Sequence, residues 1–315
     1  MDFDLTETQK EVIALATSIF EREKREEDAW TQLDKAGLLE ANDDLLAHCA
    51  LLVAAGAAAA KTPIHSVTTA ALALARYGVA PAGRTHLAIQ EPDGRDPYAP
   101  VTTFADGTIT GVKTCVPANA DRVIVTTAQG LALVDTAHAK REPQIATTGA
   151  PHEQLTFDRA PARLLADDNA WLFDRAAIGL CAMELGICES VLRRTATYTS
   201  QRVQFDRPIA TFQAVAQRAA DAYIDVETLR VTTWEAAWRL ANGLPATREV
   251  AIAKTFAAEA GARVVYAAQH LHGGIGFDLD YPLARYYPLS KWIELQICGA
   301  SAQYARLGAM LAASG

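Results

Sequence analysis

The sequence predicts a mainly helical α+β fold in three parts: an N-terminal helical domain, a small antiparallel β domain, and a C-terminal antiparallel four-helix bundle. Three observations carry this. Apolar residues recur at helical spacing through residues 1–80. Short valine, threonine and isoleucine runs separated by turn pairs fill residues 81–168. The helical period then returns and persists through residues 169–315.

The first helix opens on a capping box, Thr6 with Gln9, and Leu5 ahead of it supplies the apolar staple. Val12, Leu15, Ala16 and Ile19 mark its buried face. The unbroken charge run EREKREED (residues 21–28) reads as a solvated helix face or exposed connection rather than a binding surface. An alanine- and leucine-rich helix covers residues 44–60, and another covers 66–76 before Gly78 and Pro81 stop it. In the middle part Asp106-Gly107 divides VTTF from TITGV, and Gln129-Gly130 divides VIVTT from LALVD. Pro117 and Pro143 belong at strand edges or in loops, because proline cannot donate to a central ladder.

The bundle begins with a helix carrying Ile178, Cys181, Leu185, Cys188 and Leu192 on one side. After Pro208 a seam steps by threes and fours through Phe212, Val215, Ala219, Ala222, Val226, Leu229, Thr233, Ala236 and Leu240, ending at Asn242-Gly243 and Pro245. A second seam runs through Ala253, Phe256, Ala257, Ala260, Val264, Ala268 and Leu271. A last helix is expected over residues 290–312. Short links between four long helices favour antiparallel neighbours.

Composition narrows the function. Half of the 315 residues are apolar, and 29 Lys and Arg face 37 Asp and Glu, for a net charge of −8. An acidic chain without a basic block lacks the electrostatic footprint for nucleic acid or an anionic membrane. Its five cysteines (Cys49, Cys115, Cys181, Cys188, Cys298) are scattered and odd in number, which fits a reducing, cytoplasmic setting rather than zinc or a disulfide framework. No basic-then-apolar start marks a secretory leader, and the most apolar stretch, residues 45–60, is too short to span a bilayer. His270 and His272 lack a third ligand, so no metal is expected there, and Asp278 with Asp280 does not complete a calcium loop.

Two motifs carry a family resemblance. QRVQFDRPIATFQAV (residues 201–215) resembles the R-x-x-F-G-x-x-[IL]-x-x-x-Q signature of acyl-CoA dehydrogenases, and HLHGGIGFDLDYPLARYYP (residues 270–288) resembles that family's Q-x-x-G-G-x-G-F…YP element. With the α–β–α order, the likeness covers nearly the whole chain. The short, alanine-rich front end looks most like the smaller subunit of the heterotetrameric acyl-CoA dehydrogenases of actinobacterial steroid breakdown. The resemblance implies FAD as cofactor. Arg202, Phe205, Phe212, Gln213, His270, Gly273 and Gly274 match the positions that reach its ADP half, where an arginine fork and glycine-exposed N–H groups suit a diphosphate. His270 stands where the family usually has glutamine.

The chemistry that the resemblance implies removes an α-proton with a glutamate, while hydride passes from the β-carbon to the flavin. One usual position of that base falls at Ile297-Cys298, just before Gly299, and the other falls at Ala176. Neither supplies a carboxylate; Glu294 and Glu184 are the nearby candidates. The family's Lys-x-Trp-x-[ST], offered to the flavin ring, reads here as Lys113, Cys115 and Pro117. Proline has neither N–H nor hydroxyl to give. The loop usually written T-E-P-x-x-G-S-D survives as Gln90-Glu91-Pro92-Asp93-Gly94. The expectation is a partner subunit, in an α2β2 assembly with a larger acyl-CoA dehydrogenase chain that brings the base and acts on an acyl-CoA. Two alternatives stand beside it: a self-sufficient homo-oligomer using Glu294 or Glu184, and a flavin-free scaffold on the same fold.

Overall fold

The computed structural model describes residues 5–22, 26–40, 44–94 and 96–313. Residues 23–25 of the charge run therefore lie outside the described residues. Helix α1 (Glu7–Arg22) starts on the expected reciprocal cap: the Gln9 N–H donates to Thr6 Oγ1 at 3.3 Å, and the Thr6 N–H donates to Gln9 Oε1 at 3.0 Å. After α2 (Glu26–Lys35), Asp44 caps α3 (Leu45–Ala57) by accepting the Leu46 and Ala47 N–H groups at 2.9 and 3.0 Å. Gln9 also donates its amide to Asp44 at 3.1 Å, so one side chain ties the starts of α1 and α3 together. Helix α4 (Ile64–Arg76) begins directly after Pro63, two residues earlier than the sequence suggests.

The middle part holds β1 (Thr85–Ala88), β2 (Thr103–Ala105), β3 (Thr108–Pro117), β4 (Arg122–Thr127), β5 (Gly130–Asp135), β6 (Ala139–Ile145) and β7 (Pro151–Ala166), in the order β1-β4-β5-β7-β3-β2 with β6 also on β7. Asp106-Gly107 turns β2 into β3, and β4 turns into β5 just before Gly130, as the turn pairs predict. One pairing corrects the all-antiparallel expectation. Strands β1 and β4 run parallel, joined through the whole β2–β3 excursion, which supplies the long crossover such a pair needs. Side chains alternate across the sheet: Ile124 and Leu131 join the core shared with the helices, whereas Val123, Val125, Ala132 and Val134 join a second core within the sheet. Pro143 sits on β6, which pairs with β7 alone.

The bundle comprises α5 (Ala170–Gln201), α6 (Gln213–Ala241), α7 (Thr247–His272), α8 (Tyr286–Leu295) and α9 (Ala300–Ala313), with the short hairpin β8 (Val203–Gln204) and β9 (Arg207–Pro208) between α5 and α6. Helix α5 is buried almost all round over residues 172–191, because α3, α6 and α7 pack against it. The α6 seam is buried from Ala222 to Leu240, but Val215 and Ala219 in its first two turns are only half covered. The single last helix expected from the sequence is two. Chain direction breaks at Ile297 and Cys298, whose φ angles are 53° and 69°. Lys254, fully buried on α7, holds the break by donating to the carbonyls of Ile293, Glu294 and Cys298 at 3.3, 3.2 and 3.2 Å. Two of these carbonyls belong to the last turn of α8 and the third to the break itself.

Candidate functional site

The seven positions matched to the ADP half gather at one end of the bundle. Helix α5 stops because Arg202 turns extended (φ −71°, ψ 115°). The chain then makes a two-residue hairpin in which Phe205 and Asp206 both have positive φ (53° and 61°). Asp tolerates that conformation readily, whereas an aromatic residue there is uncommon. The turn throws the Phe205 ring outward, 86% exposed, edge-on to Phe212 at 6.1 Å. Arg207 lies 4.3 Å over the Phe212 ring, and Gln213 opens α6. Helix α7 reaches the same end and stops at Gly273 (φ 65°, ψ −143°), a conformation glycine adopts without strain. Tyr198 Oη donates to the His272 carbonyl at 3.4 Å, linking the last turns of α5 and α7. Arg202, Phe205, Gln213, His270, Gly273 and Gly274 are exposed, and Phe212 is half-buried. A Cβ placed on Gly273 or Gly274 would meet no atom within 4 Å, so this cradle opens outward from the chain. Its guanidinium and bare backbone fit a diphosphate.

The region between sheet and helices is different. Two cavities lie there, of about 120 Å³ and about 40 Å³, and both are walled by His65, Ser66, Pro117 and Trp292. The Trp292 indole, 6.2 Å from the His152 ring, stands against both. A tricyclic ring system needs a pocket nearer the ~300 Å³ or more of ordinary ligand sites. No carboxylate lines either cavity.

The residues at the positions of the ring-binding motifs serve the scaffold. Lys113 is fully buried and gives its three protons to Ile89 O, Glu91 Oε1 and Thr126 Oγ1 at 3.3, 2.9 and 3.0 Å. Burial pushes its pKa down to about 8 against the pull of Glu91. Burial pushes Glu91 up, but hydrogen bonds from the Val101 N–H, Lys113 and Thr102 outweigh it and hold Glu91 at about 2. Cys115 occupies a bulge in β3 (φ 54°), its N–H taken by Gln144 at 2.9 Å.

At the expected base positions the structure offers no carboxylate: Cys298 gives its thiol to Asp96 at 3.7 Å. Ala176 is fully buried, and Ile297, 2% exposed, lines the smaller cavity. Glu294 is ion-paired with Lys291 and lines neither cavity. Glu184 is fully buried in the bundle, accepting from Ser290 at 2.6 Å and from the Cys188 thiol at 3.7 Å. Its pKa is raised to about 7 by burial, against the opposing pull of Ser290 and Lys254, yet it too lines neither cavity. Sequence reasoning passed over Trp292 and Lys254. A lysine at the buried spacing Val250, Lys254, Ala257, Gly261 was a legible signal for the second.

A sheet packed against a helical bundle whose end carries an arginine–glycine cradle is the arrangement of an acyl-CoA dehydrogenase-type fold. Residues 169–295 match the family model described as acyl-CoA dehydrogenase, C-terminal domain. Acyl-CoA dehydrogenase FadE27 of Mycobacterium tuberculosis is 34% identical over 369 aligned residues, which cover 99% of each chain. FadE28 of the same organism is 30% identical, over 98% of each. Among solved structures, the Tcur3481-Tcur3483 steroid ACAD superposes with a TM-score of 0.92 at 33% identity, covering 98% of both chains. The ChsE4-ChsE5 complex from Mycobacterium tuberculosis superposes with a TM-score of 0.86 at 31% identity, covering 99% of both. The chain belongs to the acyl-CoA dehydrogenase family, oxidoreductases whose members bind FAD. Among the described residues no helix is long and apolar enough to cross a membrane, and no group of three or more His, Cys, Asp or Glu could hold a metal ion.

Proposed function

We propose that this chain is the partner subunit of a heteromeric FAD-dependent acyl-CoA dehydrogenase acting on a steroid-derived CoA thioester. In this reading it supplies the ADP side of the FAD site and leaves the base to a larger sister chain. The observation that carries this is the opposite condition of its two half-sites. The bundle-end cradle is open and chemically suited to a diphosphate. The ring-side cavities are small, split by Trp292 and free of carboxylates. When bound, FAD supplies the hydride acceptor. Arg202 would neutralise its diphosphate, the Gly273-Gly274 backbone would let it approach, and Phe205 with Phe212 would flank the adenosine. Gln213 and His270 would offer polar contacts beside them.

Two further facts support a partner. Phe205 on the hairpin and Phe277 and Leu279 after the paired glycines are 86%, 70% and 90% exposed, apolar groups that a partner would cover. Two of the solved relatives are a two-protein steroid ACAD and a two-protein complex. In this reading two such pairs join about a two-fold axis as α2β2.

Expressed alone, the chain is expected to be colourless and without dye-coupled dehydrogenase activity. Co-purified with the sister chain it should be yellow, with one flavin per heterodimer. In that complex Arg202→Ala should weaken flavin retention about tenfold, the loss of one charge-assisted contact. A yellow, active homo-oligomer of this chain, or flavin retention indifferent to Arg202→Ala, would overturn the proposal.

A further inference from the structure

A third cavity, a groove of about 360 Å³, runs along the last turns of α5 and is closed by the 281–283 segment. None of the seven cradle residues lines it. The charged residues of its lining are of one sign, Arg193 and Arg194, with Thr197 and Gln201 beside them and no acidic residue. The Arg193 guanidinium lies within electrostatic reach of Glu189, whose close ion pair is with Arg230 at 2.5 Å. Arg194 is steadied by Ser190 Oγ at 3.4 Å and by the face of Tyr286 at 5.7 Å.

Deeper in the groove lies His272, 4% exposed, stacked on Tyr198 at 4.4 Å and tilted against Tyr281 at 5.4 Å. Its Nδ1 contacts the Ala268 carbonyl at 2.8 Å. A carbonyl only accepts, so Nδ1 carries the proton and Nε2 presents a lone pair. That Nε2 is buried without a hydrogen-bond partner. A buried acceptor left unmatched costs about 1–3 kcal/mol, so it marks a place where a donor belongs. The groove thus offers an acceptor between aromatic faces at its inner end and guanidinium forks at its mouth. A complementary ligand has a hydroxyl or amino group at one end and a phosphate at the other.

We propose that this groove binds the phosphate-bearing end of a nucleotide, with Arg193 and Arg194 on the phosphate and His272 accepting from the nucleoside. The groove shares no lining residue with the flavin cradle, which it adjoins through Gln201 and His272. Titration of ADP in an Arg202→Ala background, which weakens the cradle about tenfold, combined with changes at the groove arginines, keeps the two readings apart. The full chain is used, alone or with its partner as it is stable, and binding is read by calorimetry. One saturable ADP site is expected to persist in Arg202→Ala. Adding Arg193→Ala and Arg194→Ala should weaken it at least about tenfold, as should His272→Phe. Inorganic phosphate should bind more weakly than ADP and respond to the arginine changes but not to His272→Phe. Thermal melts of each variant verify folding, and the exposed arginine pair gives a test independent of the buried histidine. Absence of a saturable site in Arg202→Ala, or a site unmoved by the arginine changes, overturns the proposal. So does equal affinity for phosphate and ADP.

Discussion

Gly186→Ala is expected to cost the fold about 3 kcal/mol despite the roughly 1 kcal/mol that alanine gains over glycine in a helix interior. Helices α3 and α5 cross with backbone against backbone. A Cβ on Gly186 would stand 2.0 Å from the Val53 carbonyl oxygen and 2.8 Å from the Ala57 nitrogen. On the facing helix, a Cβ on Gly56 would stand 1.9 Å from the Met183 oxygen. Neither obstacle is a side-chain tip that can rotate away, so the helices must separate, and a well-packed interface loses contacts along its length. The control is Gly308→Ala on α9, where an added Cβ meets nothing within 4 Å. That change should stabilise by about 0.5–1 kcal/mol. Urea denaturation of the three proteins checks both signs. Equal midpoints for Gly186→Ala and the parent would mean that the helices are not held this closely.

The crossing matters to function because α4 follows α3 and its first turn walls both ring-side cavities. Close approach of α3 to α5 leaves a slot that Trp292 divides.

What the sequence makes legible is local or periodic. The Thr6–Gln9 cap, the Asp106-Gly107 turn and the Ala222–Leu240 part of the α6 seam each depend on near neighbours, and all three form. The first two turns of α6 carry the same pattern but little of this chain covers them, since a period specifies a face and not its occupant. The parallel β1–β4 pair depends on how a long excursion returns, which no short window contains. The break at Ile297-Cys298 depends on Lys254, some forty positions earlier, whose ammonium collects the helix-end carbonyls. Lys113 reads as a ring-side remnant in sequence, but its protons are all committed inside the sheet. At the cradle, residue types were legible, and the structure adds that they share one end of the bundle and face outward.

Glu184→Gln is expected to stabilise the protein by up to about 3 kcal/mol at pH 8 and to do almost nothing near pH 4.5. In the folded chain burial raises this carboxyl from an ordinary 4.5 to about 7. Between those values the unfolded chain has already released the proton that the folded chain keeps, so stability falls as pH rises through that window. Glutamine mimics the neutral form. It can still accept from Ser290, and its amide meets the same unpartnered space that Glu184 Oε2 meets now. Lys254 keeps its three carbonyls in the variant, losing only the longer-range attraction of the carboxylate. Unfolding curves of parent and variant at pH 5 and pH 8 should therefore diverge at the higher pH, and parallel pH profiles would contradict the buried placement. The same variant separates stability from catalysis. A pKa near neutrality is what a general base needs, but the group must also reach the proton it takes. Glu184 is fully buried and lines no ring-side cavity, so dye-coupled activity of the co-purified complex should not fall with Glu184→Gln. A loss of about 10²-fold would make Glu184 the base after all and the chain a complete enzyme.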